Sequence, residues 1–214
     1  MLLARFGKVT FTLFALWLCI AARPAQAQVD LVNNLSNTTS GVDRVGGTLW
    51  EADSFQTDNR TYTLSSATLK LSSQSNGVVT VDLFSNTGSN KPGASLISLG
   101  TSNPLTSTLT DITFTPAGGQ ILLPNTVYWV VAHSLNSAEW GATASTAYTG
   151  FGTIPPAFAF AASADSGSTW TTHPITDGPN QFRVRATTPE PGLFALTAGL
   201  GLAGVSTLRR RRKS

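Results

Sequence analysis

The amino-acid sequence predicts an all-β fold, a single jelly-roll-like β-sandwich held between two apolar ends. Three observations predict it. Residues 28–188 are rich in Ser, Thr, Gly and Asn and contain no run with the 3.6-residue apolar period of an amphipathic helix. Short alternating or β-branched runs recur instead, separated by turn residues. No fixed-period repeat joins them, which argues against a propeller or a solenoid. The segment is about 160 residues long, the size of one domain and enough to bury a core without staples.

The elements follow in order. Residues 61–71 alternate, with Tyr62, Leu64, Ala67, Leu69 and Leu71 as the apolar positions. Asn76-Gly77, a strong turn pair, precedes an extended run over 78–84. Asn90-Lys91-Pro92-Gly93 reads as a turn, and 95–99 resumes extended structure. Residues 108–114 alternate through Leu109 and Ile112 until Ala117-Gly118-Gly119 breaks the run. Residues 126–132 form an unbroken β-branched and aromatic stretch, the signature of a strand buried on both faces. Residues 181–186 set Phe182 and Val184 against Arg183 and Arg185, which predicts a half-exposed last strand.

The formal charge of +3 is carried by the two ends. Residues 28–188 hold six basic and ten acidic side chains, a net of about −4. Nucleic-acid binding is therefore not expected, since it needs clustered Lys and Arg on the fold itself. The one cysteine, Cys19, lies in the N-terminal apolar run, so the domain has no thiol for disulfides, metal ligation or nucleophilic attack. An exported domain without disulfides fits a bacterial source.

Residues 1–27 have the three parts of a signal peptide. Arg5 and Lys8 give a positive start, 9–22 are apolar, and Ala25-Gln26-Ala27 is a small-x-small cleavage site. Trp17 and Leu18 are too bulky for Cys19 to be a lipidation cysteine. Signal peptidase is expected to cut after Ala27, leaving 28–186 as the ectodomain and 187–214 as a tail. In that tail Pro189-Glu190-Pro191 precedes residues 192–208, which carry no charge, and Arg209, Arg210, Arg211, Arg212 and Lys213 follow. Seventeen helical residues rise roughly 26 Å, enough to cross a thin hydrocarbon layer. The basic cluster stays on the cytoplasmic side and places the domain outside. Gly199 to Gly204 formally fit G-x-G-x-x-G, but inside an apolar segment with no preceding strand they are not a dinucleotide loop.

This three-part tail resembles the PEP-CTERM sorting tail of Gram-negative bacteria. The resemblance implies recognition and cleavage near Pro189-Glu190-Pro191 by an exosortase, a membrane-embedded transpeptidase-like enzyme, in a cell that makes extracellular polysaccharide. The protein would be held transiently in the inner membrane and then reach the cell surface or the extracellular space. The ectodomain resembles choice-of-anchor R domains through residues 50–57 (WEADSFQT), 62–71, 81–85, Lys91-Pro92-Gly93 and 125–131 (NTVYWVV). That family implies surface placement and no particular chemistry. Ser163, Asp165, Gly167, Thr169 and Trp170 fit S-x-D-x-G-x-T-W, a motif that resembles the structural Asp-box of sialidases. It predicts a hairpin whose turn amides are bound by Asp165, whose Gly adopts positive φ and whose Trp packs beneath.

No catalytic constellation assembles. His133 and His173 are isolated, without metal-ligand spacing, and no nucleophile elbow or calcium loop is present. Glu51 and Asp53 share one strand face and are expected to be solvated; Asp177-Gly178-Pro179-Asn180 reads as a turn. Neither a cofactor nor a metal is expected. The favoured expectation is a non-enzymatic surface or matrix protein. The alternative is a carbohydrate-binding module using Trp140, Tyr148 and Phe151, with Trp170, as a stacking platform. A glycan hydrolase is the third class. Asn34, Asn37 and Asn59 begin N-x-[ST] sequons.

Overall fold

The structure, a computed structural model, describes residues 27–188. The leader with Ala25, the Pro189-Glu190-Pro191 motif, the 192–208 segment and the basic end lie outside the described residues. Among the described residues no helix is long and apolar enough to cross a membrane.

The domain is all-β, with two antiparallel sheets. The strands are β1 (Gln28–Asn33), β2 (Gly41–Val45), β3 (Trp50–Gln56), β4 (Tyr62–Ser72), β5 (Thr80–Asn86), β6 (Pro92–Thr101), β7 (Thr110–Phe114), β8 (Ile121–Leu122), β9 (Val127–His133), β10 (Ala138–Ala142), β11 (Phe160–Ser163), β12 (Thr171–His173) and β13 (Phe182–Thr187). The first sheet runs β1-β13-β4-β10-β2, with β7 and β8 also paired to β4. The second runs β12-β11-β3-β9-β5-β6. Between the sheets lies one core, which includes Leu31, Phe55, Tyr62, Leu69, Val81, Leu83, Val130, Trp140, Phe182 and Val184. A smaller cluster of Ala52, Trp129, Val131, Ala161 and Trp170 covers the outer face of the second sheet.

Local chemistry accounts for the details. The apolar positions of β4 change phase after Leu64, and the β4–β13 register shifts at that place: Ala186 faces Leu64 while Arg185 faces Ser66. One extra residue on a strand reverses which side chains point inward, so the bulge keeps both Leu64 and Ala67 in the core. β9 is paired on both edges, to β3 and to β5, and five of its seven residues are buried. β6 is an edge strand whose pairing with β5 shifts register three times, a geometry that discourages pairing with a second chain. Asn76 does take positive φ, but the turn does not close a hairpin. It hands the chain from β4 in the first sheet to β5 in the second.

β1 pairs with β13 from Gln28 opposite Thr187 to Asn33 opposite Arg183. Both chain ends of the domain therefore leave from neighbouring strands at one end of the sandwich. At the other end Asn34, Gln181 and Trp140 tie the β1–β2 loop to the start of β13. Phe182 N–H donates to Asn34 Oδ1 at 2.6 Å, Gln181 Nε2 donates to the Asn37 carbonyl at 2.6 Å, and Trp140 Nε1 donates to the Gln181 carbonyl at 2.9 Å.

Candidate functional site

The acids of β2 and β3 form a cluster at that second end. In β3, residues 51, 53 and 55 share a face, and Phe55 belongs to the inter-sheet core. Glu51 and Asp53 thus point inward; Glu51 is 8% exposed and Asp53 0%. This corrects the expectation that they are solvated. In β2, Val45 is in the core, so Asp43 on the same face also turns inward while Val42 stays 45% exposed. Asn180 N–H and Nδ2 donate to Asp53 at 3.1 and 3.0 Å. Both of these bonds go to Asp53 alone. The Oδ1 of Asn180 is buried and has no hydrogen-bond donor, although Asn180 is 0% exposed.

The electrostatics follow from this burial. Loss of solvation, and then the neighbouring Asp43 and Asp53, push the Glu51 carboxyl up to about 9. Burial drives Asp53 well above the ordinary carboxylate range despite its bond from Asn180. Burial also raises Asp43, opposed by the Asn180 side chain and by His173. Beside the cluster opens a pocket of about 250 Å³, whose walls include Ser40, Asp43, Ala142, Phe160, Thr176 and Asp177. One wall is the one-turn 3-10 helix Ile175–Asp177, ended by Gly178 at φ 96°. His173 flanks it, stacked on Phe160 at 4.8 Å between ring centroids and 3.7 Å from Asp177. The Asp177-Gly178-Pro179-Asn180 turn is present, and its last residue is the hub of the cluster. Among the described residues no three His, Cys, Asp or Glu side chains are gathered as a metal ion would need.

The residues proposed as a stacking platform do not form one. Trp140 is 0% exposed and sits in the inter-sheet core, with its indole N–H bound to Gln181. Trp170 is 7% exposed and packs against the outer face of the second sheet. Tyr148 is half-buried against the main core. Phe151 alone is open, and the Arg60 guanidinium lies 5.3 Å over its ring. Only Trp140 lies in a strand, β10, whose alternation turns it inward; Tyr148 and Trp170 lie outside the strands and pack back onto the sheets. The sequon at Asn34 is closed too, because both ends of its amide are used inside the fold.

The S-x-D-x-G-x-T-W segment closes the β11–β12 hairpin, in which Phe160, Ala161 and Ala162 face His173, Thr172 and Thr171. Asp165 accepts from Thr169 N–H at 2.8 Å, Thr169 Oγ1 at 2.7 Å and Ser163 Oγ at 2.8 Å. Ser163 Oγ in turn accepts from Gly167 N–H at 2.9 Å. The bonds from Thr169 hold the Asp165 carboxyl below its ordinary value. Gly167 adopts φ 79°, and a Cβ there would meet the Trp50 ring at 2.8 Å. On the same outer face His133 stacks on Trp50 at 4.4 Å and bonds Asp82 at 3.0 Å.

Sequence reasoning missed Asp43 and Asn180. Asp43 lies in Gly-Val-Asp-Arg-Val, where hydropathy alone would turn Val42 inward. Asn180 has no signal beyond its place in a turn. No family model and no curated protein matches the chain. Among solved structures, a chain in the structure of the infectious bursal disease virus Gx strain aligns at 9% identity, covering 79% of this chain and 37% of that one, with a TM-score of 0.30.

Proposed function

We propose that the protein is an exported, exosortase-sorted component of the cell surface or extracellular matrix, linked to extracellular polysaccharide and without catalytic activity of its own. Its ectodomain is read as a jelly-roll-like sandwich of the choice-of-anchor R kind. The observation that carries this reading is the order of three features in the tail: Pro189-Glu190-Pro191, the uncharged stretch 192–208, and Arg209 to Arg212. The prolines keep the peptide extended and out of the membrane helix, because Pro lacks an amide and restricts the residue before it. The extent of the domain supports the same reading: β1 begins at Gln28, next to the Ala25-Gln26-Ala27 cleavage site, and β13 ends at Thr187, two residues before the motif.

The absence of catalysis is supported by where the perturbed acids lie. A neutral Glu51 has the protonation state of a general acid, but such a group must reach the reacting atoms. Glu51 and Asp53 are buried behind the pocket rather than forming its wall. The test is replacement of Pro189, Glu190 and Pro191 by alanine. The native protein should lose the residues after about Pro191 and reach the surface, while the variant accumulates uncut in the inner membrane. Surface-located native protein that retains residues 192–214 would leave only a plain anchor.

A further inference from the structure

We propose that the end of the sandwich from which both chain ends leave is a membrane-docking surface. Until the tail is cut, this end rests on the phospholipid headgroups of the membrane, with Leu123 and Phe151 entering the interface. This deepens the sorted, membrane-tethered reading and rests on it. Strand register defines the end in question. Thr187, at the finish of β13, pairs with Thr63 near the start of β4, and Thr63 pairs with Ile121. Gln56, at the finish of β3, pairs with Val127 at the start of β9, and Asn125 N–H donates to the Asp58 carbonyl. Phe151 N–H donates to the Asp30 carbonyl of β1. Ile121, Leu123 and Phe151 are 47%, 56% and 52% exposed, so this end presents three separate apolar side chains to its surroundings.

What covers this end follows from the chain beyond it and from charge. Only residues 188–191 separate Thr187 from the uncharged stretch 192–208. Extended chain from Thr187 to Gly192 reaches at most about 17 Å. The headgroup layer on one side of a bilayer is itself roughly 5–8 Å deep, so a span that starts at Gly192 holds this end close to the lipid surface. The charges fit such a surface. The two acids here, Asp30 and Asp58, are each paired, to Arg185 at 2.8 Å and to Arg60 at 3.6 Å. Lys91, in the turn between β5 and β6, adds a further cation at the same end. Asp43, Asp111, Glu139, Asp165 and Asp177 lie toward the opposite end. Anionic headgroups attract Lys and Arg and repel carboxylates, so they favour this end over the other. Phe151 lies under the Arg60 guanidinium, which joins an apolar ring to a cation as interfacial segments do.

The test is spin labelling of the full-length chain in vesicles of phosphatidylethanolamine and phosphatidylglycerol. The chain carries Cys19→Ala, which removes its one native cysteine, and is produced where no exosortase cuts it. Single labels at Leu123→Cys and Phe151→Cys should lose access to a water-soluble nickel relaxer and collide instead with oxygen, as at the base of the headgroups. A label at Leu135→Cys, 93% exposed between β9 and β10 at the opposite end, should keep full access to the nickel relaxer. All three side chains are exposed, so the labels replace no core packing. A label at Leu200→Cys reads the tail by itself. With that label in the hydrocarbon, equal nickel access at Leu123→Cys, Phe151→Cys and Leu135→Cys would overturn the docking and leave the tethered reading standing. With that label in water, both would fall. Protection accompanied by dipolar broadening that vanishes on dilution with unlabelled protein would put a second copy on this face and overturn the proposal.

Discussion

Glu51 concentrates the tension in this domain at the scale of one residue. Its folded pKa stands near 9 against an ordinary value of 4.5. Between those values the folded state holds a proton that the unfolded chain has lost, so unfolding releases protons and stability falls as pH rises. The slope is up to about 1.4 kcal/mol per pH unit for one such group. The melting temperature should therefore decline from pH 5 to pH 9, and Glu51→Gln should flatten that decline and raise the melting temperature at pH 8. A profile unchanged by the substitution would show that Glu51 is not the titrating group. Asn180→Ala should act in the opposite sense. It strips the side-chain donor from a fully buried Asp53 and should cost about 1–3 kcal/mol in denaturant unfolding. The pairing of Glu51 and Asp53 on one face was legible in the sequence, but their environment was not. In Trp50-Glu51-Ala52-Asp53-Ser54-Phe55 the acids look like the wet side of an amphipathic strand. That inference fails because both sides of β3 are covered: the inter-sheet core lies on one, the Trp129–Trp170 cluster on the other.

At the scale of elements, the β11–β12 hairpin shows how a short motif sets geometry without a long-range signal. Its Ser, Asp and Thr side chains satisfy one another and the turn amides within seven residues, Ser163 to Thr169, so the connection could be read from sequence. The Gly167 contact with Trp50 could not, since it joins residues far apart in the chain. Gly167→Ala should combine left-handed strain with a clash against that ring and cost about 1–3 kcal/mol by chemical denaturation. A neutral effect would mean that the turn tolerates a Cβ after all. β9 was legible for a similar reason: a continuous apolar run belongs in the middle of a sheet, and its two partners place it there. The Asn76-Gly77 turn was legible as a turn, but the partners of the strand after it were not. Turn chemistry dictates a reversal of direction but not which sheet receives the next strand. β1 adds Leu31 and Val32 to the core across a local register shift. Leu31→Ala should cost about 2–5 kcal/mol, measured as a shift in denaturation midpoint.

For the whole molecule, the first and last strands lie side by side, and the termini of the domain emerge together. On the proposed reading the mature protein should begin at Gln28, which mass spectrometry of its N-terminal peptide would check; recovery of Met1 would contradict cleavage after Ala27. Neutral residues in place of Arg209 to Arg212 should impair retention or orientation in the membrane, through loss of the positive-inside signal, as fractionation would reveal. The pocket lies beside the start of β13, and the tail follows its end, roughly 17 Å along the strand. β13 is clamped on one side by β1 and on the other by β4. Tension applied between the start of β13 and Thr187 would run along this strand, at right angles to the hydrogen bonds of both ladders. Those bonds would then be loaded together in shear instead of being opened one at a time. A domain loaded in this way would resist pulling best along the axis of β13.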